Sequence, residues 1–131
     1  MATLPQAYRQ MTSRPKKVLV IDDDRSTRDL LSLHLSNRGY DVAVAEDAVV
    51  GGRLALSSKP QLIIVDVHMP YLDGPDFVAA LKSDPQTKDI PVVFLTSEDD
   101  MYERAGRLGA FACLTKPIMA DRLLEVVARA T

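Results

Sequence analysis

The chain has 131 residues, 47% of them hydrophobic and 26% charged, with a formal net charge of −2. That balance fits one compact domain that buries its core without disulfides or a structural metal. A single cysteine, Cys113, and only two histidines exclude an internal disulfide and argue against a structural zinc, so a reducing cytoplasm is the expected compartment.

Residues 1–16 read as a flexible basic tail and residues 17–131 as the domain. Arg9, Arg14, Lys16 and Lys17 stand at this end with no acid among them, so the rest is more acidic than the total. The opening "MATLPQAYRQ" lacks the apolar segment of a secretory signal. Apolar runs such as "LIIV" and "VVFL" are far too short to cross a membrane. The domain has no wide basic patch of the kind that binds nucleic acid. Neither direct nucleic-acid binding nor membrane association is expected.

The first strand is "VLVI" (18–21). Residues Thr27 to Asn37 follow as a helix, with Leu31 and Leu35 at i,i+4, Leu30 and Leu33 nearby, and Gly39 as a stop. The second strand is "VAVA" (42–45). Asp47 then caps a helix through Leu56, with Ala48, Gly52, Ala55 and Leu56 on one side. Gly51 and Gly52 weaken that helix by roughly 1 kcal/mol each relative to Ala. The third strand is "LIIV" (62–65), and "PDFVAALKS" (75–83) is a helix with Pro near its first position and Phe77, Val78 and Leu81 together.

The fourth strand is "VVFL" (92–95). "EDDMYERAGRL" (98–108) opens with three acids, favourable at a helix N-terminus. "FACL" (111–114) is a weaker fifth strand. "ADRLLEVVARA" (120–130) places Leu123, Leu124 and Val127 on one face, with Asp121 early and Arg129 late. Short, non-alternating Val/Ile-rich runs suit strands buried on both faces. Strands alternating with helices predict an α/β fold: a doubly wound, five-stranded parallel sheet of flavodoxin-like order 2-1-3-4-5.

In such a sheet ligands bind beyond the carboxyl ends of the strands. After "VLVI" comes Asp22-Asp23-Asp24. After "LIIV" comes Asp66, after "VVFL" Thr96-Ser97, and after "FACL" Thr115-Lys116-Pro117. Strands 1 and 3 are neighbours in this order, so Asp22, Asp23 and Asp66 converge. Three adjacent carboxylates repel, and a divalent cation such as Mg²⁺, which prefers oxygen ligands, resolves the conflict. Lys116 adds a positive charge and Thr96 a hydroxyl. These residue types suit a site that holds a small anion beside a metal.

The segments "VLVIDDD", "LIIVDVHMPYLDG", "VVFLTS" and "CLTKP", in that order and at strand ends, resemble the receiver domain of two-component response regulators. The match runs from about Lys17 to Ala130. The resemblance implies that Asp66 accepts a phosphoryl group from a phosphohistidine on a sensor histidine kinase or a histidine phosphotransfer protein. Asp23 and Asp66 would bind Mg²⁺ (or Mn²⁺) directly, with the His68 backbone carbonyl, and Asp22 would act through water. Lys116, Thr96 and the backbone N–H groups of Val67 and Ser97 would face the phosphoryl oxygens. Lys116-Pro117 would be a cis peptide. Readout would pass from Thr96 to a downstream protein on the face made by helix 4, strand 5 and helix 5. The switch aromatic usual three residues before the lysine is replaced here by Cys113, and the residue after the threonine is Ser97 rather than the frequent Ala.

Simpler roles compete at single positions. Asp24 reads as a helix cap, the His68 side chain as a solvent-facing loop residue, and Cys113 as a small core residue. Asp73-Gly74 reads as a turn, and Met69 and Pro70 as shapers of the loop over the site. Three other functions compete for the whole. A Mg²⁺-dependent aspartyl-phosphate hydrolase typically has a second acid two residues after the nucleophile, where His68 stands. A nucleotide- or flavin-binding module is disfavoured because "DDDRST" replaces a glycine-rich phosphate loop. A phosphorylation-independent interaction module leaves the set of acids, Thr and Lys unexplained. With no room expected for a DNA-binding domain, either a stand-alone regulator or the receiver portion of a longer protein fits.

Overall fold

A computed structural model describes residues 14–69, 72–97 and 101–131. The chain alternates β1 (Lys17–Ile21), α1 (Arg25–Ser36), β2 (Asp41–Ala45), α2 (Ala48–Ser57), β3 (Leu62–Asp66), α3 (Gly74–Ser83), β4 (Val92–Thr96), α4 (Met101–Arg107), β5 (Ala112–Thr115) and α5 (Ala120–Ala130). All neighbouring strands pair in parallel, in the order β2-β1-β3-β4-β5. This is the doubly wound architecture expected from the alternation of short apolar runs and helices.

Successive side chains of a strand point to opposite faces, and each face of the sheet has its own core. Leu19, Ile21, Ile63, Val65, Val92, Phe94 and Cys113 pack with residues of α2, α3 and α4, including Ala55, Phe77, Leu81 and Ala105. Val18, Val20, Leu62, Ile64, Val93, Leu95 and Leu114 pack with Leu31 and Leu35 of α1 and Leu123, Val126 and Val127 of α5. The three inner strands are buried throughout their apolar residues. Cutting back a fully buried side chain of either core, as in Leu31→Ala, costs about 2–5 kcal/mol.

Capping follows the sequence closely. Asp24, Asp47 and Asp73 each accept a backbone N–H of the first turn of α1, α2 and α3. Gly39, at φ +86°, turns the chain out of α1, in a left-handed conformation that costs glycine little.

Several expectations shift. β2 is an edge strand and only Ala45 is buried, so "VAVA" is not covered on both faces. α2 buries Ala48, Gly51 and Ala55, whereas Leu56 is exposed and Gly52 half-buried. Gly51 earns its place by packing: a Cβ there would lie 2.6 Å from Ile21 Cδ1. α5 buries Val126 rather than Leu124 beside Leu123 and Val127. β5 begins one residue late, leaving Phe111 exposed at its entrance. The opening acids of "EDDMYERAGRL", Pro70 and most of the proposed tail lie outside the described residues.

Candidate functional site

Four strand ends bring the polar residues to one edge. β1 leads directly into Asp22, β3 ends on Asp66, β4 on Thr96, and β5 on Thr115 just before Lys116. Asp22 and Thr96 are fully buried, Asp66 is nearly so, and Asp23 is exposed. Carboxylate oxygens of Asp22, Asp23 and Asp66 all lie within 4.8 Å of one another. Parallel pairing of β1 with β3 produces this convergence, because Ile21 stands opposite Val65.

Lys116 ties the acids together. Its Nζ donates to Asp66 Oδ2 at 2.9 Å and lies 3.1 Å from Asp22 Oδ2. The second contact is an ion pair. Asp22 Oδ2 is thus a buried acceptor with no hydrogen-bond donor among the described residues. Burial pushes the Asp22 carboxyl up to about 6, aided by the Asp66 charge and opposed by the Asp24 N–H and by Lys116. For Lys116 burial acts downward, but its close contacts with the Asp66 and Asp22 carboxylates, and their charges, outweigh it and leave the ammonium above its ordinary range.

The turn around these acids is braced by short bonds. Asp24 N–H donates to Asp22 Oδ1 at 2.9 Å, and His68 N–H donates to Asp66 Oδ1 at 3.0 Å. Arg28 Nη1 donates to the Asp22 carbonyl oxygen at 2.7 Å. The Asp24 carboxylate accepts from Thr27 Oγ1 and Ser26 N–H, bonds that hold it below the usual carboxylate range, the Thr27 bond most strongly. Asp24 is a cap and stands outside the cluster of three acids.

Gly74, the first residue of α3, packs closely against the end of β3. Its N–H donates to the Val67 carbonyl at 2.8 Å. A Cβ at Gly74 would lie 2.5 Å from the Asp66 carbonyl oxygen and 2.9 Å from Val67 Cα. Both are backbone atoms and cannot swing aside. The Asp-Gly turn therefore has a tighter duty than a change of direction.

One backbone donor differs from expectation. Val67 N–H, expected to face an anion, donates to the Leu95 carbonyl at 3.0 Å and extends the β3–β4 ladder. The amide that reaches the Asp66 carboxylate is that of His68. Lys116-Pro117 is cis, as the resemblance implied. Cys113 is buried in the core against which α4 packs, opposite Phe94 of β4, and burial pushes its thiol up. His68 and Ser97 are exposed on the loops beyond β3 and β4.

The family model for the response regulator receiver domain matches residues 18–128. The chain belongs to this family. The receiver domain is 37% identical over 113 residues to the DNA-binding dual master transcriptional regulator RpaA of Synechocystis sp., covering 85% of this chain and 47% of that protein. It is 38% identical over 112 residues to the response regulator MprA of Mycobacterium sp. (strain KMS), covering 84% and 48%. The chain thus spans about half the length of these curated relatives. Among solved structures, the chemotaxis response regulator CheY4 of Vibrio cholerae superposes with a TM-score of 0.84 at 32% identity, covering 90% of this chain and all of that one. A putative response regulator from Chloroflexus aurantiacus gives 0.85 at 27% identity, covering 89% and 98%.

Receiver domains are signalling domains of two-component systems rather than conventional enzymes. They interact with histidine kinases and downstream effectors, and generally bind Mg²⁺ at an acidic cluster. The acidic cluster here fits such a cation: its donors are all oxygens, and one of them is buried without a hydrogen-bond donor. Among the described residues no helix is long and apolar enough to cross a membrane.

Proposed function

We propose that Asp66 is the phosphoacceptor. The supporting observation is the contact of Lys116 Nζ with Asp66 Oδ2 at 2.9 Å, inside a cluster of three acids. An Asp66 carboxylate oxygen attacks the phosphorus of a phosphohistidine. The P–N bond breaks, the imidazole leaves with the bonding pair and is reprotonated, and an acyl phosphate forms on Asp66. Water later attacks that phosphorus, releasing inorganic phosphate and restoring the carboxylate. The domain itself promotes both steps.

Transfer requires alignment and neutralisation of charge on the phosphoryl oxygens. Lys116 turns its ammonium from the Asp66 carboxylate to a phosphoryl oxygen. The Thr96 hydroxyl and the Ser97 and His68 N–H groups donate to the others, with His68 taking the part expected of Val67. Asp23, Asp66 and the His68 carbonyl would hold Mg²⁺ (or Mn²⁺), with Asp22 acting through water. That cation supplies further neutralisation of phosphoryl charge.

The donor is a phosphohistidine of a sensor kinase or phosphotransfer protein. A hollow of about 200 Å³ lined by Thr27, Leu30, Leu31, Lys116, Pro117 and Ile118 opens beside the site and suits an apolar helix carrying that histidine. The downstream partner binds the α4-β5-α5 face, where Phe111 and Met119 are exposed and the Arg129 guanidinium lies 5.9 Å from the Phe111 ring centre. Thr96 carries the switch, with Cys113 filling the place of the aromatic. We assign the domain to residues 17–131, behind a basic tail at 1–16, in the cytoplasm.

The test is intact mass after incubation with acetyl phosphate and Mg²⁺. Wild type gains one phosphoryl group, and Asp66→Asn gains none. Absence of an adduct on wild type, or an equal adduct on both, overturns the assignment.

A further inference from the structure

The turn that carries two of the three acids rests on a residue with no part in the phosphoryl chemistry. Arg28 stands on the first turns of α1, and its Nη1 reaches back 2.7 Å to the carbonyl oxygen of Asp22. That oxygen belongs to the peptide whose nitrogen is Asp23's. A peptide is planar, so a bond to its oxygen fixes the direction in which Asp23 leaves it. Asp22 is also held through its own N–H, on the Ala45 carbonyl at 3.1 Å, and through Oδ1, on Asp24 N–H. Asp23 differs. Its carboxylate is exposed and has no hydrogen-bond or ion-pair partner among the described residues. Only the backbone on either side can aim it.

We propose that Arg28 is a positioning residue of the acidic cluster, fixing the Asp22–Asp23 peptide so that the Asp23 carboxylate converges with Asp22 and Asp66 on a divalent cation. The inference rests on the metal-site reading above. It does not concern the charge of the guanidinium, and the sign of the effect separates the two. A cation acting by charge alone beside three carboxylates opposes a second cation, so its removal tightens Mg²⁺ binding. A residue that holds the peptide in place does the reverse when removed.

Arg25, one turn earlier, is the control. Its side chain is 86% exposed and pairs with Asp29 at 3.6 Å, so it carries the same charge close to the same turn without touching the Asp22 carbonyl.

The experiment titrates Mg²⁺ alone into the metal-free full chain at pH 7. It follows binding by calorimetry and the Asp23 and Asp24 amide resonances by NMR, for wild type, Arg28→Met, Arg28→Lys and Arg25→Met. Arg28→Met weakens Mg²⁺ binding about 10-fold, the lower end for residues that orient metal ligands. Arg28→Lys keeps the charge but ends one bond short of Nη1, and it weakens binding too. Arg25→Met binds as wild type or slightly tighter. The two amides shift in both Arg28 variants before any metal is added. Mg²⁺ affinity of the folded protein is insensitive to a general loss of stability, and Arg28→Lys decides the matter if Arg28→Met does not fold. Arg28 variants that bind Mg²⁺ as tightly as wild type, or tighter, overturn the inference and leave the metal site standing. A wild type that binds no Mg²⁺ overturns both.

Discussion

Asp66 and Lys116 are separated by 50 positions in sequence and meet at 2.9 Å. They stand at the ends of β3 and β5, with β4 between them. The ammonium also lies 3.1 Å from Asp22 Oδ2, so it is shared between two buried acids. In the metal-free protein Lys116 is the cation that lets Asp22 and Asp66 coexist.

Removing that ammonium exposes the conflict. Lys116→Met leaves two buried carboxylates without their counter-charge, and metal-free stability falls by roughly 1–3 kcal/mol, less than for a fully buried pair because Lys116 is partly solvated. Mg²⁺ recovers most of the loss. Urea unfolding with and without Mg²⁺ measures both. Equal stability of Lys116→Met and wild type without metal contradicts the shared-cation picture.

Asp22 sets a pH dependence. Its folded value of about 6 lies above the ordinary carboxyl value of 3.8, so between these limits the folded state binds the extra proton. Asp22's contribution to stability is therefore fully present below about pH 3.8 and lost as pH rises through 6, by about 3 kcal/mol. At pH 7 without metal, Asp22→Asn is more stable than wild type, and the advantage shrinks toward pH 5. The same proton competes with a cation, so Mg²⁺ affinity of wild type falls as pH drops through 6. Thermal melts of both proteins at pH 5 and pH 7 check the first claim. An Asp22→Asn advantage that grows at low pH contradicts it.

Gly74 has no room for a side chain. Gly74→Ala drives a Cβ against the Asp66 carbonyl and Val67 Cα, and the loop must move. The cost is about 1–3 kcal/mol, the usual range for overpacking, and phosphorylation by acetyl phosphate slows because Asp66 is displaced. Denaturant unfolding and the rate of phosphate incorporation read the two effects. A variant that matches wild type in both shows that the loop yields freely.

Cys113 behaves as a core residue. It is 3% exposed and burial raises its thiol pKa, so native protein reacts with a disulfide reagent only through unfolding. Labelling that is slow in buffer and immediate in denaturant is the expected result. Fast labelling of native protein contradicts a buried thiol.

The order of strands and the convergence of Asp22, Asp23, Asp66 and Lys116 were legible in the sequence. Short apolar runs between helical repeats leave few topologies, and each run hands its polar neighbours to the same edge. Burial was less legible where neighbours decide it. The order 2-1-3-4-5 already puts "VAVA" at an edge, but its residues do not show how little of it is covered, and the choice between Leu124 and Val126 depends on how α5 is rotated against the sheet. Sequence does not reveal that the ladder to Leu95 runs one residue past β3 and engages the Val67 N–H. Arg28 is not marked in the sequence for a related reason. A side chain that reaches back to a main-chain carbonyl leaves no pattern in residue types.

On the assignment proposed above, Asp66 rather than Asp22 or Asp23 takes the phosphoryl group. Borohydride reduces an aspartyl phosphate to homoserine, so reduction followed by peptide mass mapping reads the site directly. Homoserine is expected at position 66 after treatment with acetyl phosphate and Mg²⁺. Homoserine at 22 or 23 instead, or at none of the three in protein that carries phosphate, would contradict it.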